Sequence, residues 1–157
     1  MNSKRIIIVG RSASGKNFLR NKFIKRGFTY APSYTSRQKR DGETNQDYIF
    51  ISEYEFKQKI KNNEFFEHNL YNGNYYATGL NEFLYHDLFI MEPNGISNLN
   101  EYRNSSLIIY LNTDVDIRIN RMEERGWTKD KITERLKFDD VTFWDFKDYD
   151  VEVTNVF

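Results

Sequence analysis

The sequence predicts an α/β fold with a mainly parallel central sheet. Helical and strand patterns alternate along the chain, which is typical of parallel sheets with connecting helices. The apolar runs at 6–9, 88–91 and 107–111 are continuous, as in strands buried on both faces. A glycine loop at 10–15 joins the first of these runs to an amphipathic segment. Together these observations predict a sheet with helices on its two faces.

The helices are predicted from apolar residues at helical spacing and from capping residues. Leu19 and Phe23 share one helical face, and Ser52 with Glu55 forms a capping box. Val115 and Ile119 begin the apolar stripe of a later helix. The predicted helices cover 16–26, about 52–61, 113–125 and a segment that starts at Thr128, and a last short strand lies at 151–153.

Length and composition exclude several classes of protein. The 157 residues fit one domain, and 23 basic against 23 acidic residues argue against coating of nucleic acid by bulk charge. The absence of Cys excludes disulfides, thiolate catalysis and Cys-ligated zinc. No apolar run approaches the ~20 residues of a membrane helix. The apolar run after Lys4-Arg5 is also too short for a signal peptide, so we expect a cytoplasmic protein (host cytoplasm if viral). Residues with A/T-rich codons dominate, which indicates a low-GC bacterium or its virus.

The glycine loop carries a phosphate-binding pattern. It fits Gly-x-x-x-x-Gly-Lys, with Asn17 where Ser or Thr is usual, and reads Gly10-Arg11-Ser12-Ala13-Ser14-Gly15-Lys16-Asn17. Such a loop turns backbone N–H groups toward an anion, and the following helix adds its positive dipole end. The alternative is a Gly/Ser-rich turn between a strand and a helix. Because a buried strand precedes the loop and an amphipathic helix follows it, we expect nucleotide binding by 10–17.

A second set of motifs follows in the order Ser33-Tyr34-Thr35-Ser36-Arg37-Gln38-Lys39-Arg40-Asp41-Gly42-Glu43, Asp47-Tyr48-Ile49-Phe50, Glu67 and Gly73-Asn74-Tyr75-Tyr76-Ala77-Thr78-Gly79. With these motifs in register, the sequence resembles the guanylate kinase family, one of the P-loop nucleoside monophosphate kinases, from about Ile6 to Asn155. The resemblance implies a three-layer P-loop fold. It implies a single domain over 1–157, with a core at about 1–31, 80–113 and 143–157, a GMP-binding subdomain at 32–79 and a helical lid at 118–138.

The resemblance also implies residue roles in the acceptor site. Guanidinium forks and phenol hydroxyls suit a phosphate dianion, and a carboxylate suits the two adjacent donors of guanine. The expected GMP-binding residues are Arg37, Arg40, Tyr48 and Tyr76 at the phosphate and Ser33, Glu67, Thr78 and Glu92 at the base. Taken singly, the arginines are better explained by a solvated basic loop and the two tyrosines by surface packing; it is the joint occurrence with Glu67 and the Gly73–Tyr76 motif that favours GMP binding.

The predicted metal site departs from the family pattern at two positions. The resemblance implies Mg²⁺ bound with ATP, but Asn17 replaces the hydroxyl residue and Ile90 replaces a family Asp. The Asn17 carboxamide oxygen is the candidate metal ligand. Glu92 offers a partial substitute, and the alternative is a metal held mainly by ATP phosphates and water, as Mg²⁺ often is.

Arginines that match the family's lid lie in the two helices near the chain's end. We expect Arg121, Arg125 and Arg135 to act on the transferred phosphoryl group together with Lys16 and Arg37, since this chemistry needs positioned positive charge. Arg118 is interpreted instead as part of a solvated helix face. Asn155 matches a family Asn near the adenine of ATP.

The resemblance implies an ATP-dependent enzyme that phosphorylates GMP or dGMP. The expected partners are these nucleotides, with no nucleic acid polymer or membrane, and the expected state is a monomer or a weak homodimer. Three alternatives remain: a kinase of the same fold with another acceptor, a catalytically silent guanylate-kinase-like binding module, and a P-loop GTPase or ATPase.

Overall fold

The computed structural model describes residues 4–155, which form two sheets with helices packed around them. The strands are β1 (Arg5–Gly10), β2 (Ser33–Thr35), β3 (Tyr48–Phe50), β4 (Phe65–Tyr71), β5 (Asn74–Gly79), β6 (Leu88–Ile90), β7 (Ser106–Asn112) and β8 (Val151–Thr154). The helices are α1 (Lys16–Ile24), α2 (Glu53–Lys61), α3 (Leu80–Tyr85), α4 (Pro93–Ser97), α5 (Val115–Glu124) and α6 (Lys129–Thr142), with a 3₁₀ helix at Asn100–Ser105. Over the described range, no helix has the length and apolar character needed to cross a bilayer.

The first sheet is parallel throughout, with strand order β6-β1-β7-β8. Successive side chains of β1 point to opposite faces. Ile7 and Val9 belong to an apolar cluster that includes side chains of α3 and α4, whereas Ile6 and Ile8 belong to a cluster that α1 covers. The sheet is therefore buried on both faces, which confirms the prediction drawn from the continuous apolar runs.

The second sheet has the order β3-β2-β5-β4 and lies within residues 33–79. Its pairs β2–β5 and β4–β5 are antiparallel, and β2–β3 is parallel. Phe56 of α2 is fully buried against it, with ring centroids 4.6 Å from Phe65 and 5.1 Å from Tyr75. The predicted capping box is present, because Ser52 and Glu55 exchange their reciprocal hydrogen bonds. This sheet occupies the segment expected to bind the acceptor.

Helices α5 and α6 pack near the phosphate-binding loop at residues 10–17. Met122 of α5 and Ile132 of α6 share a buried cluster with Ala13 of this loop. The side chain of Thr128 accepts a hydrogen bond from the Lys131 backbone N–H, as expected of an N-cap. Both predicted helices are confirmed, and this packing places their arginines beside the loop.

Candidate functional site

A cleft of about 1170 Å³ lies between the phosphate-binding loop, the second sheet and helices α5 and α6. The carboxyl end of β6 also reaches it through Ile90 and Met91. In open α/β sheets, ligands bind outside the carboxyl ends of the strands. The predicted site residues that line the cleft are Ser12, Ala13, Ser14, Gly15, Lys16, Asn17, Ser33, Arg37, Arg40, Tyr48, Glu67, Tyr76, Glu92, Arg121, Arg125 and Arg135.

The phosphate-binding loop is tightly curled around Lys16. The Nζ atom of Lys16 donates hydrogen bonds to the carbonyl oxygens of Gly10 at 2.6 Å and Arg11 at 3.0 Å. Gly15 has a φ of 101°, which a residue with a side chain rarely adopts. Burial lowers the pKa of Lys16, and the nearby carboxylate of Glu92 partly offsets this effect. The ammonium group is thus held at the floor of the loop.

Four predicted residues do not line the cleft. The carbonyl of Gly10 binds Lys16, as described above, and the side chain of Arg11 turns away from the cleft. The guanidinium of Arg11 donates to the hydroxyl of Tyr110 at 2.5 Å and lies 5.1 Å from the Phe143 ring. Asn155 accepts a hydrogen bond from the Asp114 backbone N–H at 2.8 Å. The fourth residue, Thr78, binds Glu67, and the roles assigned to all four stay predictions.

The acceptor side of the cleft contains a cationic and phenolic cluster. Glu43 accepts two hydrogen bonds from the Arg37 guanidinium, at 2.9 Å and 2.7 Å. Arg37 lies 5.3 Å from the Tyr48 ring, and the rings of Tyr48 and Tyr76 are 6.1 Å apart. Arg40 lines the same region. Sequence reasoning had placed Glu43 in the motif without a role, and the structure shows that it orients Arg37.

Glu67 is a buried carboxylate on β4, with 7% of its surface exposed. Its Oε1 accepts from the backbone N–H and the hydroxyl of Thr78, at 3.0 Å and 2.7 Å, and its Oε2 accepts from Asn69 at 3.0 Å. Burial raises the pKa of Glu67 to about 7 despite these bonds. A Cβ on Gly95 would approach the Glu67 Cγ to 3.2 Å, so the absence of a side chain there gives Glu67 room.

Glu92 is a second buried carboxylate, between the two halves of the cleft. Burial raises its pKa, and the charge of Lys16 partly offsets this effect. Within residues 4–155 its Oε2 has no hydrogen-bond partner. No cluster of three or more His, Cys, Asp or Glu side chains suited to a metal was found in that range either. Asn17 and Glu92 nevertheless offer oxygen donors, which fit a Mg²⁺ ion that keeps water and phosphate ligands.

The arginines of α5 and α6 reach over the phosphate-binding loop. The Arg121 guanidinium donates to the carbonyl oxygen of Ala13 at 3.0 Å, and Arg135 hydrogen-bonds Ser12. Arg125 lines the cleft beside them. The Arg135 guanidinium also lies 4.0 Å from the ring centroid of Tyr71, on β4. The three predicted lid arginines are therefore close to the loop, and Arg135 contacts the acceptor side as well.

Asp139 of α6 is a buried carboxylate that joins the phosphate-binding loop to two arginines, and the sequence did not indicate this role. Its carboxylate is 1% exposed and accepts from the backbone N–H of Ser12 at 2.9 Å. It also lies 3.4 Å from Arg118 and 3.5 Å from Arg135. The interpretation of Arg118 as solvated is wrong, because only 4% of it is exposed and it binds Asp139. No sequence pattern indicated this pair, since its members are separated by a turn between two helices.

The described residues thus combine a phosphate-binding loop on a parallel sheet with a separate cationic pocket, which defines the class of P-loop nucleotide-binding proteins. Residues 2–155 match the family model described as guanylate kinase. The chain belongs to the guanylate kinase family.

Individual relatives agree with this assignment. The chain is 33% identical to a guanylate kinase of Lactobacillus acidophilus and 32% identical to one of Lactobacillus johnsonii, in each case over 96% of the chain and 79% of the relative. A crystal structure of guanylate kinase from Anaplasma phagocytophilum superposes with a TM-score of 0.70, covering 99% of this chain and 79% of that chain at 22% identity. This structural likeness confirms the predicted fold class.

Proposed function

We propose that the chain is a guanylate kinase that transfers the γ-phosphoryl group of ATP to GMP or dGMP. The observation that carries the proposal is a single cleft in which a phosphate-binding loop, a cationic pocket at Arg37 and a buried carboxylate at Glu67 face one another. Such a cleft suits two phosphorylated ligands that meet between the loop and the pocket. Phosphoryl transfer depends mainly on positioning and electrostatic stabilisation, which these groups can provide.

On the donor side, the loop N–H groups and Lys16 bind the outer phosphates of ATP. Arg121, Arg125 and Arg135 neutralise negative charge that spreads over the migrating phosphoryl group. Magnesium bound with ATP would add charge neutralisation at the phosphate oxygens, and Asn17 is the residue that would hold it together with water and the phosphates. The carboxamide oxygen of Asn17, which lines the cleft at the end of the phosphate-binding loop, supports this assignment.

On the acceptor side, Arg37, Arg40, Tyr48 and Tyr76 hold the GMP phosphate in line for attack. The bidentate bond to Glu43 fixes the Arg37 fork before the substrate arrives, which lowers the cost of orientation. The base is read by Ser33, Glu67, Thr78 and Glu92. Closure of α5 and α6 over the reactants excludes water and so prevents hydrolysis of ATP.

The test is a coupled assay of ADP production with ATP, Mg²⁺ and a panel of nucleoside monophosphates. We expect turnover that requires GMP or dGMP. Arg37→Ala should lower kcat/KM on every acceptor about 100-fold, whereas Glu67→Ala should mainly reduce the preference for guanine. Tight GMP binding without turnover would support a silent binding module instead. Wild-type kinetics in both variants would contradict the assignment of these site residues.

A further inference from the structure

Asn69 lies beside the guanine-reading carboxylate and points into the cleft. Residues i, i+2 and i+4 of a strand share a face, so Glu67, Asn69 and Tyr71 of β4 line the cleft together. The amide nitrogen of Asn69 donates to the Oε2 atom of Glu67 at 3.0 Å. The sequence motifs gave Asn69 no role, and the proposed function leaves it unused.

The hydrogen bonds of Glu67 limit what its carboxylate can still accept. An ionised carboxylate offers about four acceptor positions. Thr78 fills two on Oε1, and Asn69 fills one on Oε2. One position therefore remains, whereas guanine presents two adjacent donors, N1–H and the 2-amino group. The second donor therefore needs another acceptor in the cleft; the Oε2 of Glu92, unpartnered within residues 4–155, is one candidate, and the amide oxygen of the residue bonded directly to Glu67 is the other.

The carbonyl oxygen of Asn69 is suited to be that acceptor. Because the Asn69 amide nitrogen donates to Glu67, its Oδ1 atom is available on the other side of the amide. Asn94 of α4, which also lines the cleft, donates to this Oδ1 and so fixes the orientation of the amide. A carbonyl oxygen has two lone pairs, so Oδ1 can accept one more hydrogen bond.

We propose that Asn69 Oδ1 accepts a hydrogen bond from the 2-amino group of guanine while Glu67 Oε2 accepts from N1–H. This inference rests on the proposed function and adds a specificity-determining residue to it. Asn69 then separates guanine from hypoxanthine, which keeps N1–H but lacks the 2-amino group. Asn94 positions Asn69 without touching the base.

The experiment compares GMP with IMP, which differ only in that amino group. The ratio of kcat/KM for GMP to kcat/KM for IMP is measured in the wild type, Asn69→Ala, Asn69→Gln and the exposed control Asn104→Ala. Loss of one neutral hydrogen bond predicts that Asn69→Ala lowers this ratio about tenfold. Asn69→Gln keeps both the N–H₂ donor and the carbonyl acceptor of the amide, so its ratio should lie closer to that of the wild type than the ratio of Asn69→Ala does.

A merely structural role for Asn69 would change GMP and IMP kinetics equally and leave the ratio unchanged, which would overturn the inference. The KM for ATP and the thermal unfolding of each variant report any general damage. The same ratio is also measured from calorimetric binding of GMP and IMP, so a protein without turnover still tests Asn69.

The inference and the proposed function fail in different ways. A wild type that turns over neither nucleotide but binds GMP more tightly than IMP contradicts the enzymatic proposal alone. A wild type that favours GMP, with an unchanged ratio in Asn69→Ala, contradicts the role of Asn69 alone. Absence of binding to either nucleotide contradicts both.

Discussion

Replacement of Glu67 by Gln should make the free protein more stable at alkaline pH. In the unfolded chain this carboxyl titrates near 4.5, whereas burial raises its folded pKa to about 7. The folded state therefore holds the proton more tightly than the unfolded state does. The contribution of this proton to the free energy of unfolding is fully present below pH 4.5 and is lost as the pH rises through 7. At about 1.4 kcal/mol for each pKa unit, the difference between the unfolded and the folded pKa corresponds to roughly 3 kcal/mol of unfolding free energy.

The Gln side chain stays neutral at every pH and keeps an oxygen for the two hydrogen bonds from Thr78. Its N–H₂ group replaces the oxygen that accepts from Asn69, and this loss does not vary with pH. We expect the unfolding free energy of Glu67→Gln, relative to wild type, to rise by roughly 3 kcal/mol between pH 4.5 and pH 8. Urea denaturation without nucleotide at several pH values measures this difference, with Glu101→Gln as a control for loss of an exposed carboxylate. A difference that does not vary with pH would refute the reasoning.

The N–H donors of guanine favour the ionised form of Glu67, so bound GMP should offset the cost of ionising this buried carboxyl. The affinity of the wild type for GMP should increase as pH rises through about 7, and that of Glu67→Gln should increase less. Titration of the GMP phosphate itself affects both proteins alike. Calorimetry from pH 6 to pH 8 separates the two contributions, and parallel curves would show that Glu67 does not bind the base as its anion.

Three further changes test the packing around the cleft. Asp139→Asn leaves Arg118 and Arg135 without their buried counter-charge, so it should lower the unfolding free energy by about 3 kcal/mol in urea denaturation. Tyr71→Ala removes both the ring under Arg135 and the hydroxyl that hydrogen-bonds it, and should raise the KM of both nucleotides about tenfold. Tyr71→Phe loses only the hydroxyl and should raise the KM less, and equal kinetics in the two variants would contradict the ring contact. Ser52→Ala removes the α2 cap and should cost about 1 kcal/mol of thermal stability without changing KM, since α2 lies outside the cleft.

Local sequence was sufficient to predict the elements that have a strong periodic or capping signal. The continuous apolar run of β1 and the glycine loop after it predicted the position of Lys16 correctly. The end of α1 and both ends of α5 differ by one or two residues from those predicted, which is the usual uncertainty for helix ends.

The strands of the second sheet were not predicted from periodicity. β2 and β3 are only three residues long, and most of their side chains are half-buried, so the apolar alternation that marks a strand is weak. The residues of β2 and β3 were assigned to the acceptor site from the order of the motifs. The motifs did not indicate which strands pair. The contact between Tyr71 and Phe138, with ring centroids 4.4 Å apart, joins segments far apart in the chain and has no local signal.

The sequence by itself determined the family, the fold class and most residues of the cleft, because glycines, arginines and a capping box act through local backbone geometry and charge. Only the tertiary structure decided which polar groups are buried against one another. The structure shows that Asn69 hydrogen-bonds Glu67, that Asp139 hydrogen-bonds the phosphate-binding loop and that Arg118 is buried. Burial and hydrogen-bond satisfaction depend on the packing of segments that are distant in the chain, so no local pattern in the sequence indicates them.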